Sequence, residues 1–260
     1  MSTTSKRPSV MVLTEDSSTD AYNTVLALVK EMLKLLVPPV QTHRIDFTPL
    51  KDTNARQAMH ANLWKSTNPR DRSSIVQLIR SIITELLKDD GFVLYHIDGD
   101  RPWSDQASSD NTRQFQARMI PPIEAGVRDF LQKHQRAGEH GERMKRLHLL
   151  IPFFSIEAWL YQNTREAQRL CEEQGCRQCA PKLSTWEQDR ARLDEVPHPK
   201  EALCLRDRHN AHLASTSFPA RETFDANASF TRTVESLLAC DALTSALTRT
   251  YATPPEFSAL

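Results

Sequence analysis

The sequence predicts an α/β protein: a mostly parallel sheet flanked by helices, with a helical C-terminal extension. Three observations predict it. Short apolar runs of strand length occur at 9–14, 92–97 and 147–151, and longer segments with apolar residues at three- and four-residue spacing lie between them. That strand, helix, strand, helix alternation is the pattern of a parallel sheet covered on both faces. Beyond Thr164 the chain stays polar and helical, with no further convincing strand.

The elements follow in order. Residues 9–14 form a buried strand that stops at Glu15, and 20–36 carry Val25, Leu26, Leu28, Val29, Met32, Leu33, Leu35 and Leu36 at three- and four-residue spacing, a helix packed on the sheet, before Pro38-Pro39 forbids continuation. Val40, Thr42, Ile45 and Phe47 alternate as in a second strand nearer an edge. The polar stretch 48–72 holds Lys51, Arg56, Lys65, Arg70, Arg72 and Trp64. It reads either as a basic and aromatic loop facing a nucleic-acid backbone or as a solvated connection with a short helix. Ser73 or Ser74 is placed to cap the next helix, which Asp89-Asp90-Gly91 ends. The clearest strand, 92–97, runs straight into Asp98-Gly99-Asp100. One or two helices broken at Ile120-Pro121-Pro122 come next, then the strand 147–151 and a helix capped by Ser155. Residues 1–165 thus form the α/β core and 166–260 a helical extension, separate from it or continuous with it.

Composition narrows the function classes. The chain has 260 residues, with 33 basic and 33 acidic, so it lacks the overall charge of a general nucleic-acid coat and any such grip must be local. No 18 apolar residues run together and no apolar h-region follows the first residues, so a soluble, cytoplasmic protein with no membrane contact is expected. Five cysteines, an odd number, point to reduced thiols or a metal site rather than a disulfide frame. Neither G-x-x-x-x-G-K-[ST] nor G-x-G-x-x-G occurs, so ATP, if it matters, is bound by another chain.

The acidic residues at strand ends are the main candidate site. Ligands of open α/β sheets bind beyond the carboxyl ends of the strands, where Glu15, Asp98 and Asp100 fall. Mg²⁺ takes hard oxygen ligands, and a D-x-D turn supplies two carboxylates from one bend that Gly99 permits. The plainer alternative is an ordinary turn and a helix cap.

Residues 12–20, in which a strand ends in Glu15 and a Ser/Thr-acidic pair opens a helix, resemble the first motif of the TOPRIM family. His96-Ile-Asp98-Gly-Asp100 is similar to the second, the D-x-D. The strand and I-E-x-W-L helix of 149–160 resemble a third element, found in a TOPRIM-like branch, related to OLD-type nucleases, that lies beside ABC-type ATPases in bacterial defence clusters. The resemblance implies a TOPRIM/Rossmann-like sheet and Mg²⁺- or Mn²⁺-dependent phosphodiester hydrolysis of DNA or RNA, including tRNA. It further implies an antiviral defence effector controlled by a partner ABC-type ATPase, with self-association left open. By the same resemblance Glu15 is a ligand or general acid/base, Asp98 and Asp100 hold metal, Asp20 and Glu157 complete a second metal position, and Lys200 stabilises phosphate charge. Asp16 stands where the family has glycine, and Asp20 lies one residue further on than in the family. Those departures favour the alternative of a catalytically silent, partner-binding subunit of an ATPase complex. A small-molecule phosphatase is disfavoured because the first strand ends in Glu15 rather than an aspartate nucleophile.

Cys171-x4-Cys176-x2-Cys179 brings three thiols near one another in sequence. With Cys204, His198, His209 or His212 as a fourth ligand they would make a structural zinc site; otherwise they are free or packed thiols.

Overall fold

The computed structural model of the chain describes residues 7–37, 40–100 and 110–250. Four strands, β1 (Ser9–Thr14), β2 (Asp46–Pro49), β3 (Gly91–His96) and β4 (Leu147–Leu150), pair in parallel in the order β2-β1-β3-β4. The fold class is therefore the α/β arrangement expected from the alternation of apolar runs. Side-chain alternation splits each strand between two cores. Val10, Val12, Phe92, Leu94 and Leu150 face one side, while Met11, Leu13, Val93, Tyr95 and Ile97 face the other.

α1 (Thr19–Leu36) crosses between β1 and β2 on the first face, and Ser18 caps it by accepting from the Ala21 N–H at 3.2 Å. It ends at Leu36; Pro38 and Pro39, the expected stop, lie outside the described residues. The stretch expected to be a strand from Val40 is a 3-10 turn at Thr42–Arg44, and only Asp46–Pro49 pairs, at the sheet edge as anticipated. α2 (Thr53–Gln57) and α3 (Pro69–Leu86) follow on the second face. α3 starts earlier than Ser73: Asn68 caps it with Pro69 at its first position, a stronger start signal than either serine. Trp64 is not a surface platform for bases. It is 3 % exposed, donates from Nε1 to the Ala58 carbonyl at 2.8 Å and packs edge-on against Tyr95 and Phe115.

The prolines at 121–122 do not break the next helical stretch. α4 (Asp110–Gln114) runs through a π-helical turn, Phe115–Met119, into α5 (Ile120–Lys133), whose first turn takes the prolines where a missing N–H costs least. α6 (His140–Met144) leads into β4. Arg143 on α6 is buried and donates to the carbonyls of Leu86 and Lys88, closing the end of α3, while Glu139 accepts from Nη2 at 2.8 Å.

After β4 come α7 (Glu157–Leu160), α8 (Thr164–Glu173), α9 (Ala180–Gln188), α10 (Pro199–Ala202), α11 (Asn210–Ser215), α12 (Ala220–Ala226), α13 (Ala228–Leu238) and α14 (Asp241–Thr248). The apolar side chains of this region join the core beneath α1: Leu28, Met32 and Leu33 belong to one cluster with Leu213, Phe230, Val234 and Leu243. Trp159 is fully buried there, edge-on to Phe230 at 5.5 Å and donating to Ser229 Oγ at 2.7 Å. Among the described residues no helix is long and apolar enough to cross a membrane.

Candidate functional site

The chain leaves β1 toward β2 on one side and leaves β3 toward β4 on the other, so the strand order reverses between β1 and β3. Loops diverge at such a point and leave a crevice beyond the strand ends. Thr14 and His96 are register partners at the last rung, and Glu15 and Asp98 lie just past it. A cleft of about 690 Å³ opens there, and Glu15, Asp20, Asp98, Asp100, Glu157 and Lys200 all line it. The six carboxylate and lysine positions singled out in the sequence thus share one cavity.

Backbone groups stitch the strand ends together. The Asp98 N–H donates to Glu15 Oε2 at 3.0 Å, the Ile156 N–H to Asp98 Oδ1 at 3.1 Å, and the Asp100 N–H to the Phe154 carbonyl at 2.9 Å. Gly99 serves close approach: a Cβ there would lie 2.2 Å from the Phe153 carbonyl oxygen and 2.5 Å from that of Pro152. The left-handed conformation of the D-x-D turn falls on Asp100, at φ 57°, a residue type that tolerates it.

Asn111, at the start of α4, was not among the residues singled out in the sequence. Its Nδ2 lies 3.0 Å from Asp100 Oδ2, 3.1 Å from the Asp98 carbonyl oxygen and 3.5 Å from Glu15 Oε1. Oxygens from both strand ends therefore converge on one amide nitrogen. His96 was visible only as the polar exception in an apolar strand; its Nε2 lies 3.2 Å from Asp98 Oδ1, within charge-interaction range though not aligned as a hydrogen bond.

Electrostatics follow from the burial. Glu15 is pushed up to about 7, first by desolvation and then by the Asp98 charge, against the opposing pull of the Asp98 N–H and His96. Asp100 is raised as well, by burial and then by Asp98, with the Asn111 hydrogen bond opposing. The cleft floor holds more negative charge than its surroundings neutralise.

The remaining candidates stand further out. Glu157 is 5 % exposed and both oxygens are engaged, Oε2 by the Ser155 hydroxyl at 2.6 Å and Oε1 by Asn210 Nδ2 at 3.0 Å. Ser155 therefore serves Glu157 rather than capping a helix. Asp20 is exposed in the first turn of α1. Asp16 accepts the Ser18 N–H at 2.8 Å in a local turn. Lys200, on α10, is paired with Asp207 at 2.9 Å, which raises its pKa. Asn210, His60 and His198 also line the cleft, drawn from segments distant in sequence.

Fold and site define an α/β protein with an acidic cleft at its topological switch point. No protein-family model, curated protein or solved structure matches the chain.

The Glu15 and Asp100 carboxylates and the Asp98 carbonyl offer hard oxygen donors around the point taken by Asn111 Nδ2, and are the groups that could hold a divalent ion. The three acidic side chains do not close into a three-carboxylate shell in these rotamers. Among the described residues, the one group with three candidate ligand atoms all within 4.8 Å of each other is Cys171, Cys179 and Cys204.

Proposed function

We propose that the chain is a Mg²⁺- or Mn²⁺-dependent phosphodiester hydrolase acting on DNA or RNA. The observation that carries this reading is the convergence of Glu15, Asp98 and Asp100 across the β1–β3 switch point, with Lys200, paired to Asp207, lining the same cleft. Glu15, Asp100 and the Asp98 carbonyl would hold the ion, which supplies Lewis acidity toward a phosphate oxygen. Asn111 Nδ2 sits where those oxygens converge and would have to yield that place to the ion, while the Ile156 N–H fixes the Asp98 side chain. Lys200 brings an ammonium group to the cleft wall, where it offsets phosphate charge. Glu15 would instead take or return a proton at the reacting oxygen if the ion is held without it.

Nucleic acid as substrate, an ABC-type ATPase as controlling partner and a role in antiviral defence rest on the TOPRIM resemblance of residues 12–20, 96–100 and 149–160. The cleft chemistry supports phosphoryl recognition, and the balance of 33 basic and 33 acidic residues confines any nucleic-acid grip to a local surface.

Supercoiled plasmid, single-stranded DNA, tRNA and a small aryl phosphate, each incubated with the full chain and Mg²⁺ or Mn²⁺, test the reading. Nucleic-acid cleavage that falls at least about a hundredfold in Glu15→Ala and Asp100→Ala is expected, the scale for removing a group acting directly on the reaction. Equal cleavage by these variants would reject it. Turnover of the aryl phosphate alone would reassign the site to small phosphoesters, and ion binding without turnover would identify a silent, partner-binding subunit.

A further inference from the structure

A second cluster lies outside the residues that line the cleft, and its chemistry is sulfur rather than oxygen. Cys171 lies in the last turn of α8, Cys176 and Cys179 lie in the turn before α9, and Cys204 follows α10. Gly175, at φ 70°, reverses the chain so that the Cys176 N–H donates to the Cys171 carbonyl at 2.9 Å. The Sγ atoms of Cys171, Cys179 and Cys204 lie within 4.8 Å of one another, and Cys176 Sγ is 3.5 Å from Cys179 Sγ. A tetrahedral site with Zn–S bonds of about 2.3 Å needs its sulfurs about 3.8 Å apart, so three sulfurs stand near that spacing and Cys176, beside Cys179 but outside the group of three, must turn in to complete it.

The surroundings support thiolate ligation. The Cys204 N–H donates to Cys179 Sγ at 3.3 Å, the kind of outer hydrogen bond that orients a ligating sulfur. Two of the histidines that compete in sequence for the fourth position are engaged elsewhere: His209 Nδ1 accepts the Arg206 N–H at 2.9 Å, and His212 Nε2 pairs with Glu166. An all-thiolate set selects a soft or borderline ion over Mg²⁺ or Ca²⁺. Cys171 and Cys179 are buried while Cys176 and Cys204 are half-exposed, so the cluster has both an apolar backing and an entry side.

We infer that Cys171, Cys176, Cys179 and Cys204 form a tetrathiolate zinc site. It pins the segment after α10 to the α8–α9 turn and so fixes the cleft wall that carries Lys200. Lys182 Nζ, donating to the Ala202 carbonyl at 2.9 Å, supports the same junction from α9. The site is structural, since all four positions are taken by protein sulfur and none is left for a substrate. It does not depend on the carboxylate cleft holding a metal or on any hydrolytic activity.

The test is metal analysis of the full chain, purified under reducing conditions from cells grown with added zinc. About one zinc per chain is expected, released on titrating the thiols with a mercurial, and cobalt exchanged into the site should show the charge-transfer and tetrahedral d–d bands of thiolate ligation. Cys204→Ser should lose the metal, whereas Cys240→Ala, a buried cysteine outside the cluster, should keep it. The wild-type measurement decides the matter even where a variant fails to fold. Zinc below about a tenth of an equivalent, a six-coordinate cobalt spectrum, retention of zinc by folded Cys204→Ser, or isolation of a Cys176–Cys179 disulfide in metal-free protein would each overturn the inference.

Discussion

Charge and space at single residues set the behaviour of the cleft. The carboxyl of Glu15 holds its proton up to about pH 7 in the folded chain, against 4.5 ordinarily. The folded state therefore binds the proton more tightly, and the contribution of Glu15 to stability is greatest below pH 4.5 and is lost as pH rises through about 7. Glu15→Gln is expected to raise the melting temperature at pH 8 in the presence of a chelator and to change it little at pH 5. Mg²⁺ or Mn²⁺ should stabilise the wild type at pH 8 and fail to stabilise the variant; equal stabilisation of both would place the ion elsewhere. Gly99 makes a separate prediction. A methyl group there meets two backbone carbonyls at 2.2 and 2.5 Å, so Gly99→Ala must displace the Asp98–Asp100 turn. A stability loss of roughly 1–3 kcal/mol is expected from denaturant melts, together with weaker divalent-ion binding by calorimetry.

At the scale of elements, β4 carries a buried imidazole that no partner compensates. His148 shares a strand face with Leu150, is 6 % exposed, and its Nε2 has no hydrogen-bond partner among the described residues. Burial pushes its pKa down from 6.5 to about 4. The unfolded chain takes up a proton there before the folded chain does. Stability is therefore complete above pH 6.5 and is lost as pH falls toward 4. That loss amounts to about 3 kcal/mol at the acid end, each tenfold in proton affinity being worth about 1.4 kcal/mol. His148→Leu keeps the volume and removes the titration, so urea midpoints measured from pH 7 to pH 4 should fall less steeply in the variant than in the wild type. Parallel slopes would show that other groups govern acid unfolding. The strand is short, Leu147–Leu150, and its neighbours in sequence do not reveal that it lies under α13.

At the scale of the molecule, the helices after Thr164 share the α1 core rather than forming a body apart. Leu213, Phe230, Val234, Leu237 and Leu243 belong to the same cluster as Val10, Leu28 and Phe92. Uncovering a large apolar side chain costs roughly 1.5–3 kcal/mol, so exposing a handful matches the roughly 5–15 kcal/mol that holds a typical domain together. A chain ending at residue 165 is expected to lose its cooperative thermal transition and bind a hydrophobic dye, as judged by calorimetry and fluorescence. A sharp transition in that fragment would show that 1–165 folds alone. The cleft depends on the same packing, because its 197–210 wall comes from the C-terminal region while its acidic floor comes from β1 and β3.

By itself the sequence determined the strands around 9–14, 92–97 and 147–151, the α1 face, and the placement of Glu15, Asp98 and Asp100 at strand ends. Those features are local: an apolar run or a helical period is written in consecutive residues, and a carboxylate after a run must sit where the strand stops. Tertiary structure decided what loops and distant segments bring together. It put Asn111 between Glu15 and Asp100, tied Glu157 to Asn210, buried Trp64 against Tyr95, and carried Cys204 to the thiols of Cys171 and Cys179. It also moved the start of α3 to Asn68 and carried one helical run past Pro121-Pro122 through a π-helical turn. No residue pattern shorter than the fold encodes such meetings, because each depends on the path of chain between the partners and on the packing that fixes that path.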